Sequence, residues 1–289
     1  MSLLSQKHFN RSAKRNVSMM ENHELKILNM FIKYMAYYSD TELTAFTDWI
    51  ENNTKFELYQ DLKVLHIGTY LKEVWTHQLQ VERFEIEIID QSLLNVNVTK
   101  KKLMDTGINI SIGQMEYTNL IYESYTFDRV FSKIAFQLQS AEQQIESLNE
   151  ASRVLKPTGI HYILVNEQSL ISSLYQLMNE FSNEFNIIDP YQKHQIDIDQ
   201  QLKMLYEQID VTEYEANHLI RDVKQCMSLF LSYEDENYIN YINYIVKRHL
   251  GKQFNEFLEM KFKTQGPIIL KRKFRLFKCK NKKNQLKQF

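Results

Sequence analysis

Gly68 and Asp90 carry the spacing in this chain that most suggests chemistry. Gly68 follows the apolar run Val64-Leu65-His66-Ile67, and Asp90 ends a second strand-like run, Phe84 to Ile89, 22 residues after the glycine. A glycine permits a tight strand-to-helix turn. A carboxylate at the end of the next strand is the group that accepts ribose hydroxyls in dinucleotide sites. Asp90 has a second reading, as a residue that ends a strand and caps the helix behind it. His66 reads as a strand-end histidine rather than a base or ligand. Cys226 and Cys279 match no metal-ligand or redox spacing, so no metal site is expected and a reducing setting fits.

The elements that must position these residues alternate. Helices are expected over residues 6–16, 21–38 and 41–52, the second with Leu25, Leu28, Ile32 and Met35 at helical spacing. Strands follow at 64–67, 84–89, 108–112, 127–132 and 161–165, with helices at 72–80, 92–104 and 141–155 between them. Such alternation predicts parallel βαβ units with right-handed crossovers. Beyond them come a helix at 168–185, one near 198–206, a strand-like stretch at 211–218, helices at 223–231, 237–249 and 252–262, and a long strand at 268–277. From Lys278 the chain is basic and polar and is expected to fray. Tyr238, Tyr241 and Tyr244 recur every three residues and track one helix face, which favours packing over base stacking.

Composition bounds the partners. The 35 Lys and Arg against 36 Asp and Glu leave a net charge of −1, so no global field recruits nucleic acid or an anionic membrane. No stretch approaches about 18 consecutive apolar residues, and a soluble, cytoplasmic protein without membrane contact is expected. The 289 residues, 44% of them hydrophobic, suffice for a sizeable core. Six glycines and three prolines are few, which sharpens the meaning of each glycine.

Taken in order, these pieces resemble a known family. Arg153-Val154-Leu155-Lys156-Pro157-Thr158-Gly159 is similar to the helix-turn-strand junction of class I S-adenosylmethionine-dependent methyltransferases. Leu62 to Lys72 lies where that family has a strand and an acidic-x-Gly-x-Gly-x-Gly loop; Gly68 is kept, while Tyr70 and Lys72 stand at two glycine positions. Gly113-Gln114-Met115-Glu116 lies where the family surrounds the adenine, and Thr126-Phe127-Asp128-Arg129-Val130 resembles its aromatic-aspartate pair opening the fourth strand. The resemblance implies an α/β, Rossmann-like fold with a mostly parallel seven-stranded sheet and helices on both faces, its last strand antiparallel at or near the edge. It implies S-adenosylmethionine as cofactor, held by Gly68, Thr69, Tyr70, Asp90, Gln91, Gln114, Met115 and Ser132 at the carboxyl ends of the strands. No dedicated catalytic residue is required, because the methyl group arrives activated and alignment does most of the work. A side chain forced into a glycine-only conformation at Tyr70 or Lys72 costs about 1–3 kcal/mol.

The expected organisation is an N-terminal helical cap over residues 1–58, a methyltransferase-like domain over 59–280 with a helical insertion at about 219–262, and a basic tail at 281–289. Phe9-Asn10-Arg11-Ser12-Ala13-Lys14-Arg15 and Ser132-Lys133-Ile134-Ala135-Phe136-Gln137 further resemble the malonyl-acyl carrier protein O-methyltransferases of biotin synthesis. Asn16, Lys133 and Leu138 depart from that narrower pattern on its substrate side. Three functions follow: a methyltransferase acting on a small carboxylate or a carrier-protein-bound substrate, a methyltransferase-like binding or regulatory module without activity, and, ranked last, an RNA-binding protein. The basic end, with Lys271, Arg272, Lys273, Arg275, Lys278, Lys280, Lys282 and Lys283, could meet RNA or an acidic carrier, against its plainer reading as a solvated strand face.

Overall fold

The computed structural model describes residues 40–54, 62–69, 84–104, 110–133, 139–168, 170–182, 196–226, 245 and 248–283. The helices expected at 6–16, 21–38 and 72–80, most of that at 237–249, and Tyr70 and Lys72 lie outside these residues. The described order is α1 (Asp40–Thr54), β1 (Leu62–Ile67), β2 (Phe84–Asp90), α2 (Leu93–Met104), β3 (Ser111–Gln114), β4 (Phe127–Ser132), α3 (Ala141–Val154), β5 (Leu155–Gln168), α4 (Leu170–Phe181), α5 (Ile198–Leu205), β6 (Tyr206–Ile220), α6 (Gly251–Gln265) and β7 (Ile268–Lys282).

The seven strands form one sheet in the order β3-β2-β1-β4-β5-β7-β6. The four pairings among β1 to β5 are parallel, and β7 runs antiparallel to β5. β7 thus lies one strand in from the edge, with β6 outside it. The strands alternate between two cores, as a period of two requires when both faces are covered. On one face Leu62, Val64, Phe131, Tyr162, Leu164, Phe274 and Leu276 pack with Phe46 and Ile50 of α1. On the other, Leu65, Ile67, Val130, Ile163, Val165 and Phe277 pack with Leu148, Ala151 and Val154 of α3 and with Leu202 and Leu205 of α5. Each fully buried aliphatic or aromatic side chain contributes about 1.5–3 kcal/mol.

The Arg153 to Gly159 junction does structural work. α3 begins on a capping box, Ser140 with Gln143, and carries Arg153 in its last turn. The Arg153 guanidinium donates to the carbonyls of Leu120 and Tyr122 and to both oxygens of Glu150, clamping the loop after β3 to the helix. Arg153 holds the Glu150 carboxyl below its ordinary range. The expected helix end at Leu155 and strand start at His161 need correction: Leu155 is already extended and pairs with Phe127, and pairing resumes at Ile160 opposite Arg129. Residues 156–159 therefore bulge opposite Asp128, whose carboxylate accepts from Lys156 Nζ and from the Lys63 backbone.

Other expected boundaries also move. Gly113 and Gln114 belong to β3 rather than to the loop behind it, and β7 does not fray at Lys278 but continues to Lys282, with Cys279 fully buried opposite His161. The chain divides into two units: residues 42–180, 186–218 and 270–289 carry most of the sheet, and residues 1–41, 181–185 and 219–269 form the other. Within the latter, α6 buries Phe254 and Leu258, Phe181 packs on Phe254 and Phe257, and Gly266 closes the helix at φ 78°.

A Cβ on Gly159 would sit 2.6 Å from Leu155 Cδ1 and 3.0 Å from the Asp128 carbonyl oxygen. Gly159→Ala is therefore expected to destabilise by about 1–3 kcal/mol through overpacking. Thermal unfolding checks this, and an unchanged midpoint would show that the bulge relaxes freely.

Candidate cofactor site

The sheet reverses direction of growth between β1 and β4, and ligands of doubly wound sheets bind at such a switch, outside the carboxyl ends of the strands. Gly68 stands there at φ 94°, buried, its N–H donating to the Ile89 carbonyl at 2.7 Å, so the turn after β1 is stitched to the end of β2. Few residues other than glycine adopt this backbone conformation. Across the crevice the Lys133 N–H donates to the Ile67 carbonyl, tying the end of β4 to β1.

Asp90 is 3% exposed, and its carboxylate is fully engaged by protein donors. Oδ2 accepts from the Thr69 backbone at 2.9 Å and the Thr69 hydroxyl at 2.7 Å; Oδ1 accepts from the Ser92 backbone at 2.9 Å and the Asn95 amide at 3.2 Å. A carboxylate offers about four lone-pair sites, and all are used. The reading of Asp90 as a residue that caps the helix behind β2 is met: it organises the start of α2 with Ser92 and Asn95. Of its four donors, the Thr69 hydroxyl and the Asn95 amide are side-chain groups that can rotate away.

The remaining candidates surround this centre. Gln114 ends β3 opposite Asp90 and donates to the Gln91 carbonyl at 3.0 Å, while the Gln91 amide donates to Glu116 at 2.7 Å. Met115 donates from its backbone to the Asp90 carbonyl, and its side chain packs on the core beneath. Ser132 ends β4, 4% exposed, beside Ile67 in register. Gly68, Thr69, Asp90, Gln91, Gln114, Met115 and Ser132 therefore cluster at neighbouring strand ends. Asp128 stands at the opposite, amino-terminal end of β4, where it holds the bulge.

Known proteins resemble this chain in sequence and in fold. Residues 68–159 match the family described as methyltransferase domain. Solved structures of similar fold include the YcgJ protein from Bacillus subtilis, at 13% identity and TM-score 0.50 over 81% of this chain and 97% of that one. Another is a putative methyltransferase from Bacillus halodurans, at 12% identity and TM-score 0.52 over 81% of this chain and 98% of that one. This chain has the class I methyltransferase fold. A curated relative, the ubiquinone/menaquinone biosynthesis C-methyltransferase UbiE of Coxiella burnetii, is 26% identical over 172 residues, 59% of this chain. The match spans 65% of that relative's length.

Within the methyltransferase fold, sequence reasoning missed two groups of buried polar residues. On the face that carries α1, His66 stacks on Phe131 at 5.1 Å between ring centroids, and Lys133 and Arg272 are also buried. Burial, then the neighbouring Lys133 charge, pushes His66 down to about 3. Burial, then Arg272, holds Lys133 well below the ordinary lysine range, while Asp90 pulls it the other way. On the other face, Ser132 Oγ lies 2.7 Å from His161 Nε2, and His161 Nδ1 lies 2.8 Å from the Tyr206 hydroxyl. Burial alone pushes His161 down to about 3. Spacing could not reveal these groups, because their members lie on different strands. Among the described residues no set of His, Cys, Asp and Glu could hold a metal ion, and no helix is long and apolar enough to cross a membrane.

His66 and His161 are both neutral in the folded chain, whereas an unfolded histidine titrates near 6.5. The unfolded state thus binds more protons as pH falls below 6.5, and stability is lost progressively down to about 3. Each ring is expected to remove about 2 kcal/mol between pH 7 and 5, read by urea unfolding across that range. A flat profile would mean that the folded protein charges these rings as easily as the unfolded chain.

Proposed function

We propose that this protein is an S-adenosylmethionine-dependent methyltransferase whose cofactor lies across the carboxyl ends of β1, β2 and β4. The support is the convergence of the Gly68 turn, the Asp90 carboxylate and Ser132 on the switch point of a sheet with methyltransferase strand order. When bound, the cofactor supplies a methyl group already activated on a sulfonium. The chain's task is then to hold the ligand in line with its acceptor and keep water out. Gly68 would let the backbone approach the ligand, Asp90 would accept the ribose hydroxyls, and Gln91, Gln114 and Met115 would border the base. Thr69 and Tyr70 complete the turn in this reading, and Ser132 bounds the site on the β4 side.

A small carboxylate or a carrier-protein-bound substrate remains the proposed acceptor. Its support is the likeness of residues 9–15 and 132–137 to the malonyl-acyl carrier protein O-methyltransferases. The Coxiella relative is named as a C-methyltransferase of ubiquinone and menaquinone biosynthesis, which makes a carbon acceptor the competing substrate class. A soluble, cytoplasmic protein fits either. The second functional reading, a methyltransferase-like binding module without activity, draws on one specific feature, the saturation of Asp90 by donors of its own chain.

Calorimetric titration with S-adenosylmethionine and S-adenosylhomocysteine separates the two. Binding that Asp90→Ala weakens at least tenfold is expected, as loss of hydrogen bonds to a charged group costs about 1.5–3 kcal/mol. Thr69→Ala, which frees one lone pair of Asp90 Oδ2, is expected to tighten binding about three- to tenfold. No heat at millimolar ligand would favour the module without activity.

A further inference from the structure

We propose that Tyr206 and His161 form a directed hydrogen-bond chain that leaves the Ser132 hydroxyl hydrogen to a ligand in the β1–β4 crevice, so that this side of the site selects a hydrogen-bond acceptor such as a carboxylate or carbonyl oxygen. This rests on the crevice being a ligand site, as proposed above. It adds a positioning role for two residues that would not themselves touch the ligand.

The geometry supplies the chain. Ser132 Oγ, the His161 ring and the Tyr206 hydroxyl are linked at 2.7 and 2.8 Å, and the three residues are 4%, 0% and 1% exposed. Ser132 is the last residue of β4, in register with Ile67 immediately before the Gly68 turn, and so stands at the switch point. His161 lies on β5, and Tyr206 opens β6 directly behind α5. The chain therefore runs from the far side of the sheet to the crevice.

Its direction follows from chemistry. A neutral imidazole has one N–H donor and one acceptor nitrogen, so the hydroxyls at its two ends cannot both donate or both accept. A phenol is a far stronger acid than an aliphatic hydroxyl and the better donor of the two. Tyr206 then donates to Nδ1, the proton sits on Nε2, and Nε2–H donates to Ser132 Oγ. With that lone pair used, Ser132 has its own hydrogen to offer. Among the described residues, the polar groups around the ring include Cys279 of β7, opposite His161, with the Asp210 charge acting on it, and Ser152 of α3, beside Tyr206. Burial pushes the Cys279 thiol and the Tyr206 phenol up and His161 down, so the chain stays neutral across ordinary pH.

A base role is disfavoured by the same surroundings: burial lowers the basicity of His161, and Tyr206 and Cys279 beside it are 1% and 0% exposed. Orientation is the function such a closed chain can perform.

Two measurements test this on the full-length protein. The nitrogen NMR shifts of His161 are expected to show the Nε2–H tautomer, unchanged between about pH 5.5 and 8.5; an Nδ1–H tautomer, or titration in that range, overturns the direction. S-adenosylhomocysteine affinity is then compared among the wild type, Ser132→Ala, Tyr206→Phe and the double variant, with thermal melts confirming folding. Each single change is expected to weaken binding about three- to tenfold, as for one hydrogen bond. The double variant should be no weaker than Ser132→Ala, because Tyr206 acts through Ser132. Additive losses, or binding unaffected by Tyr206→Phe, overturn the positioning role while leaving the cofactor reading intact. Absence of binding by the wild-type chain sinks both.

Discussion

A buried carboxylate must be satisfied where it lies, and Asp90 imposes that constraint on everything around the crevice. Leaving such a charge without donors costs several kcal/mol, so the chain supplies donors from two directions, Thr69 from the turn after β1 and Ser92 and Asn95 from the start of α2. The β2 carbonyls of Ile89 and Asp90 in turn accept from the Gly68 and Met115 backbones. The turn, the helix start and the end of β3 are thereby fixed relative to one another. The same bonds that build the site also fill its acceptor. Under the proposed function, a ribose would engage Asp90 by replacing the Thr69 hydroxyl and the Asn95 amide, so that the donors displaced would offset part of the gain.

The two faces of the sheet then handle their buried polar groups differently. Under α1, His66 and Lys133 lie among buried cationic groups that include Arg272, and protons on His66 and Lys133 are opposed by burial first and then by a neighbouring charge, while Asp90 favours the proton on Lys133. Arg272 is accommodated partly by aromatic faces, its guanidinium 4.7 Å from the Phe46 ring and 4.4 Å from that of Phe274. On the α3 side, Ser132, His161 and Tyr206 carry no net charge and meet the same requirement by hydrogen bonding alone. The first arrangement gathers like charge, while the second carries none at neutral pH and loses stability only as the pH falls below the range where an unfolded histidine takes up its proton.

Much of this architecture was legible in the sequence where local pattern and tertiary environment agree. β4 has its expected bounds, β2 runs one residue further than expected, and β1 and α3 lie within two residues of theirs. The residues clustered at the strand ends were also legible, through their order along the chain. β5 was read late because Pro157 and Gly159 resemble a plain turn, yet the chain bulges there with strand pairing on both sides. β7 was read short because Lys278, Lys280 and Lys282 look like a tail, although the residues between and around them alternate with buried positions. The occupancy of Asp90 and the Ser132–His161–Tyr206 chain were illegible for a different reason. They depend on atoms 21 to 45 residues apart meeting within hydrogen-bond distance, which register decides and composition does not.

Register also explains why a strongly basic end and a strongly acidic segment coexist in a chain of net charge −1. β6 carries Glu213 and Glu215 and lies beside β7, so that Lys273 meets both of them as well as Glu167, and Arg275 meets Glu167 and Asp199. Lys278 and Lys282 rest over the rings of Tyr162 and Tyr125, and Lys283 donates to the Lys203 carbonyl. Of the basic residues at this end, Lys273 and Arg275 are thus paired with carboxylates, while Lys278, Lys282 and Lys283 contact neutral groups and keep their charge. The acidic side chains left along β6 have a separate consequence. They line β6, the long strand that ends the sheet order, where like charges would oppose pairing with a second copy of the same strand.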